Sequence, residues 1–563
     1  MGRLISAIRS FLPALALYAV CLALTQPPYF GDTLFYAEDV LQFRSGHWSM
    51  RFNPLWEFGH VLWRPIGALL APLALAWVPD SIAWTPTLKI TVGLIVLSQV
   101  FGALSVVLFY DLIREFVSSL WIRMILIGAF IWMNPFLAYS QAGVPYVAAL
   151  FFLTLAVWLQ FKYVPSTKLA VGISVALGMA VLLWFPFVLV VPAAALLGTF
   201  FYEGIFPQRK ESWLHPVTVG VLTCLLVAAG IGAGGWLAGA RSSADFLAWY
   251  EDAKHGWSQN RQWLRAVSGI TRLFFELGND GLYIKRFVLK DPYSPPLSLL
   301  DLFRFSLWKI AAGYVFLGGI VALAAFSRRA RPALIGLTLA AGPLLFFSLF
   351  LFEPGSPERF MPILPFLFLA LAAGWDAAGR VAPILKASTL VVLCLIPIAN
   401  APLFMGGLSS ELRTAADRLA DYRQHAQSQD LLITVTFNDP LTRLIDRRPL
   451  HPANRPSQIP TYGVIEVAAN TAPRWRERFA DETFRQWKQN KQVWISKSLL
   501  RDRPEPYVNW VEGDSPSAHW RDFYEFMTRL SYDRETARSD GFVRLAPSPA
   551  NRLLLQELLS AKN

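Results

Sequence analysis

The sequence predicts a polytopic α-helical membrane protein that carries a C-terminal soluble α/β domain. Three observations predict it. Apolar residues make up 54% of the 563 and charged residues only 16%, with a mean hydropathy of +0.40, far from the balance of a soluble protein. About eleven apolar runs are long enough to be read as bilayer-crossing helices. After Leu408 the texture changes to a charged chain with short strand and helix patterns.

The runs fall at 8–25, 88–110, 122–140, 144–161, 168–184, 185–202, 214–239, 305–326, 333–352, 360–376 and 384–405. The first, with Arg3 and Arg9 at its start, is read as a retained anchor, because Leu24-Thr25-Gln26 is a poor small-residue cleavage site. The run 61–78 holds Arg64, Pro65 and Pro72 and is expected to lie in the interface or as a re-entrant helix. Counting it as a crossing would invert every later loop.

Loop charges orient the rest. A cytoplasmic N-terminus places Arg114 and Arg123, Lys162 and Lys168, Arg209 and Lys210, Arg328, Arg329 and Arg331, and Arg380 and Lys386 on the inner side. The opposite short loops are nearly bare. The excess of 51 Lys and Arg over 39 acids, a net +12, is scattered between spans, which suits anchoring to anionic lipid and not nucleic-acid binding. Cys21, Cys224 and Cys394 all lie in apolar runs, so neither a disulfide framework nor a clustered zinc site is expected.

On this topology the membrane part spans 1–408, with outer loops at 26–86 and 240–304, and a soluble extracytoplasmic domain spans 409–563. Long loops on one face are where function gathers. The first loop mixes Asp32, Glu38, Asp39, Glu57, His60 and Arg64 with many aromatic rings, a texture suited to headgroup depth. A helix over 33–43 puts Tyr36, Asp39 and Val40 on one face and makes Asp32 either a plain N-cap or a reactive carboxylate. In the second loop, Lys254-His255-Gly256-Trp257 offers charge and stacking for a sugar. In the tail, 431–437, 464–467, 493–495 and 542–545 read as strands, and 475–489, 522–530 and 551–559 as helices. No glycine-rich phosphate loop occurs there, so nucleotide hydrolysis is not expected.

The order of these features resembles the GT-C superfamily of membrane glycosyltransferases, of the aminoarabinose- or mannosyl-transferring type. The resemblance covers about residues 1–405. It rests on the Asp-bearing first outer loop Gly31 to Trp63, and on Asn134-Pro135-Phe136 ending one helix before Tyr146 opens the next. It rests further on Glu358-Arg359-Phe360-Met361-Pro362 leading into a late span, and on the outer soluble tail. Family members often carry an acidic pair in the first loop, where this chain has Asp32-Thr33 with Glu38-Asp39 further on; Asp32 fits the position best. The resemblance implies a polyprenyl-phosphate-linked sugar as donor, a lipid, glycan or protein acceptor, and an inner (plasma) membrane location.

The chemistry asks for the same parts. An acceptor hydroxyl attacking an anomeric carbon needs a carboxylate to take its proton, and a departing phosphate needs cations or hydrogen-bond donors. Asp32 is the expected general base, with Asp39 the second catalytic carboxylate. Glu38, His60, Lys254, Glu358 and Arg359 are the expected substrate contacts, Arg359 being placed at headgroup level for a lipid phosphate. A divalent metal stays open as a cofactor, with Asp39, Glu57 and His60 available but in no ligand-signature spacing. The alternatives are a lipid or polysaccharide transporter, which expects ionisable residues in mid-span, and a catalytically inert envelope scaffold.

Overall fold

The computed structural model describes residues 2–26, 32–46, 48, 51–77, 86–204, 214–252, 267, 269–275, 277, 308–325, 330–350, 357–377, 383–401, 404–405, 430–434, 463–466, 472–500, 524–533 and 541–560. The chain divides into two compact units. One comprises Met1–Trp77, Lys89–Leu282 and Ser298–Gly407, the other Val78–Leu88, Tyr283–Leu297 and Leu408–Asn563.

The first unit is helical. In chain order it holds α1 (Gly2–Leu24), α2 (Thr33–Ser45), a 3₁₀ turn (Phe58–His60), α3 (Trp63–Trp77), α4 (Pro86–Arg114), α5 (Leu120–Ile131), α6 (Asn134–Ser140), α7 (Tyr146–Lys162) and α8 (Thr167–Leu183). A 3₁₀ turn (Phe185–Val190) leads into α9 (Val191–Gly204), followed by α10 (Leu214–Ala238) and α11 (Ser243–Asp252). Then come α12 (Trp308–Ala325), α13 (Arg331–Phe350), a 3₁₀ segment (Pro357–Ile363) running into α14 (Leu364–Ala377), and α15 (Pro383–Ala401).

Among the described residues six helical stretches are long and apolar enough to cross a bilayer, and the bent pair α5–α6 makes a seventh if it is one span. The remaining expected spans are present as shorter apolar helices: Phe11–Leu24, Tyr146–Lys162, Thr167–Leu183 and Phe185–Gly198. At 1.5 Å per residue, the 17 residues of α7 or α8 reach only about 25 Å, so six or seven of the eleven expected spans meet the length test among the described residues. Run 61–78 forms α3, which is not one of the crossing helices. It buries Gly67, Ala71 and Ala74 and leaves Leu69 80%, Leu73 74% and Trp77 63% exposed, a small-residue inner face and an apolar outer one.

Aromatic rings fill the centre of this body. Phe109 stacks on Phe130 at 4.3 Å between centroids, and Phe368 meets both edge-on at 5.5 Å. The 65° bend between α5 and α6 falls just before Asn134-Pro135, where proline cannot supply the N–H that would continue the helix. Side-chain amides answer backbone carbonyls at the bend and in the neighbouring segment around 271–275. Asn400 Nδ2 donates to the carbonyls of Trp132 (2.8 Å) and Phe274 (2.9 Å), and Asn134 Nδ2 donates to that of Arg272 (2.9 Å).

The helix ends sort by charge. Asp111 pairs with Arg114 (2.7 Å) and Lys162 (2.8 Å), and Lys162 also pairs with Glu115 (2.5 Å) at the C-terminal ends of α4 and α7. Tyr146 opens α7 at the other end.

In the second unit, β1 (Leu431–Thr434), β2 (Gly463–Glu466), β3 (Val493–Ser496) and β4 (Phe542–Arg544) form one sheet in the order β2-β1-β3-β4, the first three parallel and β4 antiparallel to β3. All of β3 is buried, as a strand covered on both faces should be. Its neighbours include Phe479, Ala480 and Trp487 of α16 (Ala472–Lys488) and Leu555 of α17 (Pro549–Ser560). Asp430 ties the start of β1 to β3, accepting from Gln492 N–H (3.0 Å) and Trp494 Nε1–H (3.0 Å).

Candidate functional site

The N-terminus of α2 meets the turn before α7. Gly143 has φ +68°, and a Cβ there would stand 2.6 Å from Thr33 Cγ2 and 3.0 Å from the Ile95 amide nitrogen, so only glycine lets the two segments approach this closely. Trp63 Nε1 donates to the Gly143 carbonyl at 3.0 Å and Ser98 Oγ to that of Val144 at 3.2 Å. Asp32 thereby stands beside the start of α7. It occupies the N-cap position of α2, yet its side chain makes no cap hydrogen bond and the residue is exposed, which departs from the plain-cap reading.

Behind Asp32 the shared face of α2 is buried, with Tyr36, Asp39 and Val40 all in the core. Arg64, at the start of α3, is the hub. Its Nε lies 3.1 Å from Asp39 Oδ2, its Nη2 lies 2.9 Å from Glu57 Oε2, and its Nη1 donates to the Pro54 carbonyl at 3.0 Å. The guanidinium also covers the Tyr36 ring at 5.0 Å. Asp39 is therefore a partner of Arg64 that fixes the loop, and Glu57 shares that duty. Glu38 sits partly exposed on the adjoining face of α2.

His60 wedges between Tyr36 (5.8 Å) and Tyr146 (5.9 Å), with Nδ1 3.2 Å from the Leu183 carbonyl oxygen, which places a proton on that nitrogen. From the far side, Tyr139 Oη donates to Glu358 Oε2 at 2.5 Å, and Glu358 Oε1 lies 3.6 Å from Arg359 Nη2. Arg359 rests over the Trp184 ring at 5.4 Å, and Trp184 packs on Tyr146 at 4.5 Å. One constellation thus joins the first loop to the Glu358-Arg359 element across more than 300 positions of sequence. Lys254 lies outside the described residues.

Burial shifts the titrations in opposite senses. Asp39 is pushed up to about 6 by desolvation, Arg64 opposing and the Glu57 charge adding. His60 is pushed down to about 4 by desolvation, so it is neutral near pH 7. An acid raised on folding stabilises fully below its unfolded value near 3.8 and loses that contribution as pH rises through about 6. A histidine depressed on folding stabilises above its unfolded value near 6.5 and loses that contribution as pH falls toward about 4. Thermal melting between pH 4 and 7 is expected to show both. Asp39→Asn should remove the component that favours low pH, and His60→Gln the component that favours high pH. Unchanged profiles would mean these groups do not carry the dependence.

Among the described residues no group of three or more His, Cys, Asp and Glu side chains is placed to hold a metal. The three residues available for one do not converge: Asp39 and Glu57 face Arg64, and His60 Nδ1 faces a carbonyl oxygen.

Sequence reasoning gathered Asp32, Asp39, Glu57, His60, Glu358 and Arg359 but did not single out Tyr36, Arg64, Tyr139, Tyr146 or Trp184 for the site. Arg64 carried a signal, being a charge at the head of an otherwise apolar run.

No family model matches the sequence, and a search of curated proteins finds no match. Among solved structures the chain is similar to ArnT from Cupriavidus metallidurans bound to undecaprenyl phosphate, with 13% identity and a TM-score of 0.47 over 97% of this chain and 98% of that one. It is also similar to the archaeal oligosaccharyltransferase AglB from Archaeoglobus fulgidus in complex with an inhibitory peptide and a dolichol-phosphate, with 12% identity and a TM-score of 0.41 over 95% of this chain and 74% of that one. At TM-scores below 0.5, the functional reading rests on the residues and not on these likenesses.

Proposed function

We propose that the protein is a GT-C-type membrane glycosyltransferase that moves a sugar from a polyprenyl-phosphate donor to a lipid, glycan or protein acceptor at the outer face of the inner membrane. The observation that carries this reading is that Asp32, exposed at the start of α2, stands beside the start of α7, where Tyr146 packs on Trp184 and Trp184 carries the Arg359 guanidinium.

Asp32 accepts the proton of the acceptor hydroxyl while its oxygen bonds to the anomeric carbon. The bond from that carbon to the phosphate oxygen breaks on the opposite face, which inverts the centre and releases polyprenyl phosphate. Arg359 balances the charge that grows on the leaving oxygen. Glu358, held by Tyr139, keeps the guanidinium over Trp184. Asp39, Glu57 and Arg64 hold the first loop so that Asp32 stays presented. Lys254 and Glu38 serve as outer contacts to the sugar.

Proteoliposomes containing the full chain and labelled polyprenyl-phosphate sugars test the reading. Loss of lipid-linked sugar with equal release of polyprenyl phosphate is expected. Movement of lipid between leaflets without sugar loss would replace the enzyme by a transporter.

A further inference from the structure

The last turns of α10, the segment after it and α11 wall a cavity of about 620 Å³, to which the first loop contributes Phe58. Its lining is graded along the helix. Gly232 and Trp236 stand four residues apart on one exposed face of α10, and a Cβ at Gly232 would meet nothing within 4 Å, so the cavity reaches about 9 Å back from the helix end at Ala238. Phe246 and Leu247 of α11 continue the apolar wall. Arg241, Ser242 and Ser243 all lie past the end of α10. The guanidinium is held there without being neutralised: Arg241 lies over the Trp236 ring at 4.0 Å and donates through Nη1 to the Trp236 carbonyl. Asp245, the acid in the first turn of α11, is already engaged by Arg51 at 2.7 Å, by the N–H groups of Arg241 (3.3 Å) and Ser242 (3.1 Å), and by Ser242 Oγ–H at 2.8 Å.

We infer that this cavity binds one anionic lipid, with its phosphate on Arg241 and the start of its chains along Gly232 and Trp236. α10 is among the helices long and apolar enough to cross a bilayer, so the apolar part of the cavity lies along a surface that hydrocarbon chains cover, and the cation sits where headgroups begin. A phosphate suits a guanidinium, whose planar N–H groups form charge-assisted bonds to its oxygens. A glycan or peptide from the aqueous phase would set polar groups against Gly232, Trp236 and Leu247, where desolvation costs them most. The inference stands apart from the transferase reading. Phe58 nonetheless ties the cavity to the candidate site, packing on Phe185 at 5.0 Å, next in the chain to Trp184.

Native mass spectrometry of the purified full chain with added phosphatidylglycerol or phosphatidylcholine tests it. One phosphatidylglycerol is expected to bind saturably, about fivefold or more tighter than phosphatidylcholine. Arg241→Gln should weaken phosphatidylglycerol binding about tenfold. Gly232→Leu fills the open end of the cavity with a better helix former and leaves Arg241 in place; it should lower phosphatidylglycerol occupancy by a similar factor with the melting temperature unchanged, and it decides the matter if Arg241→Gln fails to fold. Equal affinity for the two lipids overturns the anionic headgroup. Occupancy that rises without saturating, or that both variants share with the unaltered protein, means ordinary annular lipid and overturns the site. Displacement of the lipid by an equal concentration of inorganic phosphate overturns the lipid as occupant, because a site that takes the chains as well holds against the free anion.

Discussion

Asp32→Asn is expected to reduce sugar transfer by about 10²- to 10⁴-fold, the range of a lost general base, while leaving the protein folded. The expectation separates chemistry from stability because of where the side chain sits. Asp32 is exposed and contributes no side-chain cap to α2, whose first turn is instead closed by its own backbone, Tyr36 N–H to Asp32 O at 3.0 Å. Asparagine preserves the size and the N-cap preference and removes only the ability to take a proton. Single-turnover transfer and a melting curve on the same preparation check it. Transfer at the level of the unaltered protein would remove Asp32 from the mechanism.

Arg64→Met is expected to have the largest effect on stability, about 3–5 kcal/mol, and to abolish activity with it. Asp39 and Glu57 are 11% and 12% exposed at the side chain and share this one guanidinium. Removing it strands two carboxylates in a poorly hydrated place and frees the Pro54 carbonyl as well. The triple change Arg64→Met, Asp39→Asn, Glu57→Gln should recover much of the loss, because the uncompensated charge, and not the missing side chain, dominates it. Thermal unfolding in detergent checks both. A single variant as stable as the parent would show that the triad is not a structural keystone.

Periodicity carried far along this chain. Tyr36, Asp39 and Val40 fell on one helix face because a 3.6-residue repeat dictates it, and the four short strands of the tail were visible as apolar runs between turn residues. The alignment of Asp32 with Glu358-Arg359 was legible only as an order of features. What joined them was not. Tyr139 meets Glu358 across 219 positions, and that pairing is decided by the packing of α6 against the segment before α14, which no local pattern encodes. Arg64 looked awkward in an apolar run because its partners Asp39 and Glu57 lie on other elements. Tyr146 resembled any aromatic at a membrane boundary until its ring neighbours were in place.

The amide pair at Asn134 and Asn400 shows how the chain tolerates a broken helix in an oily medium. The carbonyls of Trp132, Arg272 and Phe274 are answered by side chains distant in sequence, one of them, Asn400, next to the last residue of α15. The final span thus supplies the donor that the Trp132 and Phe274 oxygens share, so the hydrogen bonding of the kinked region is completed by the last of the described membrane helices.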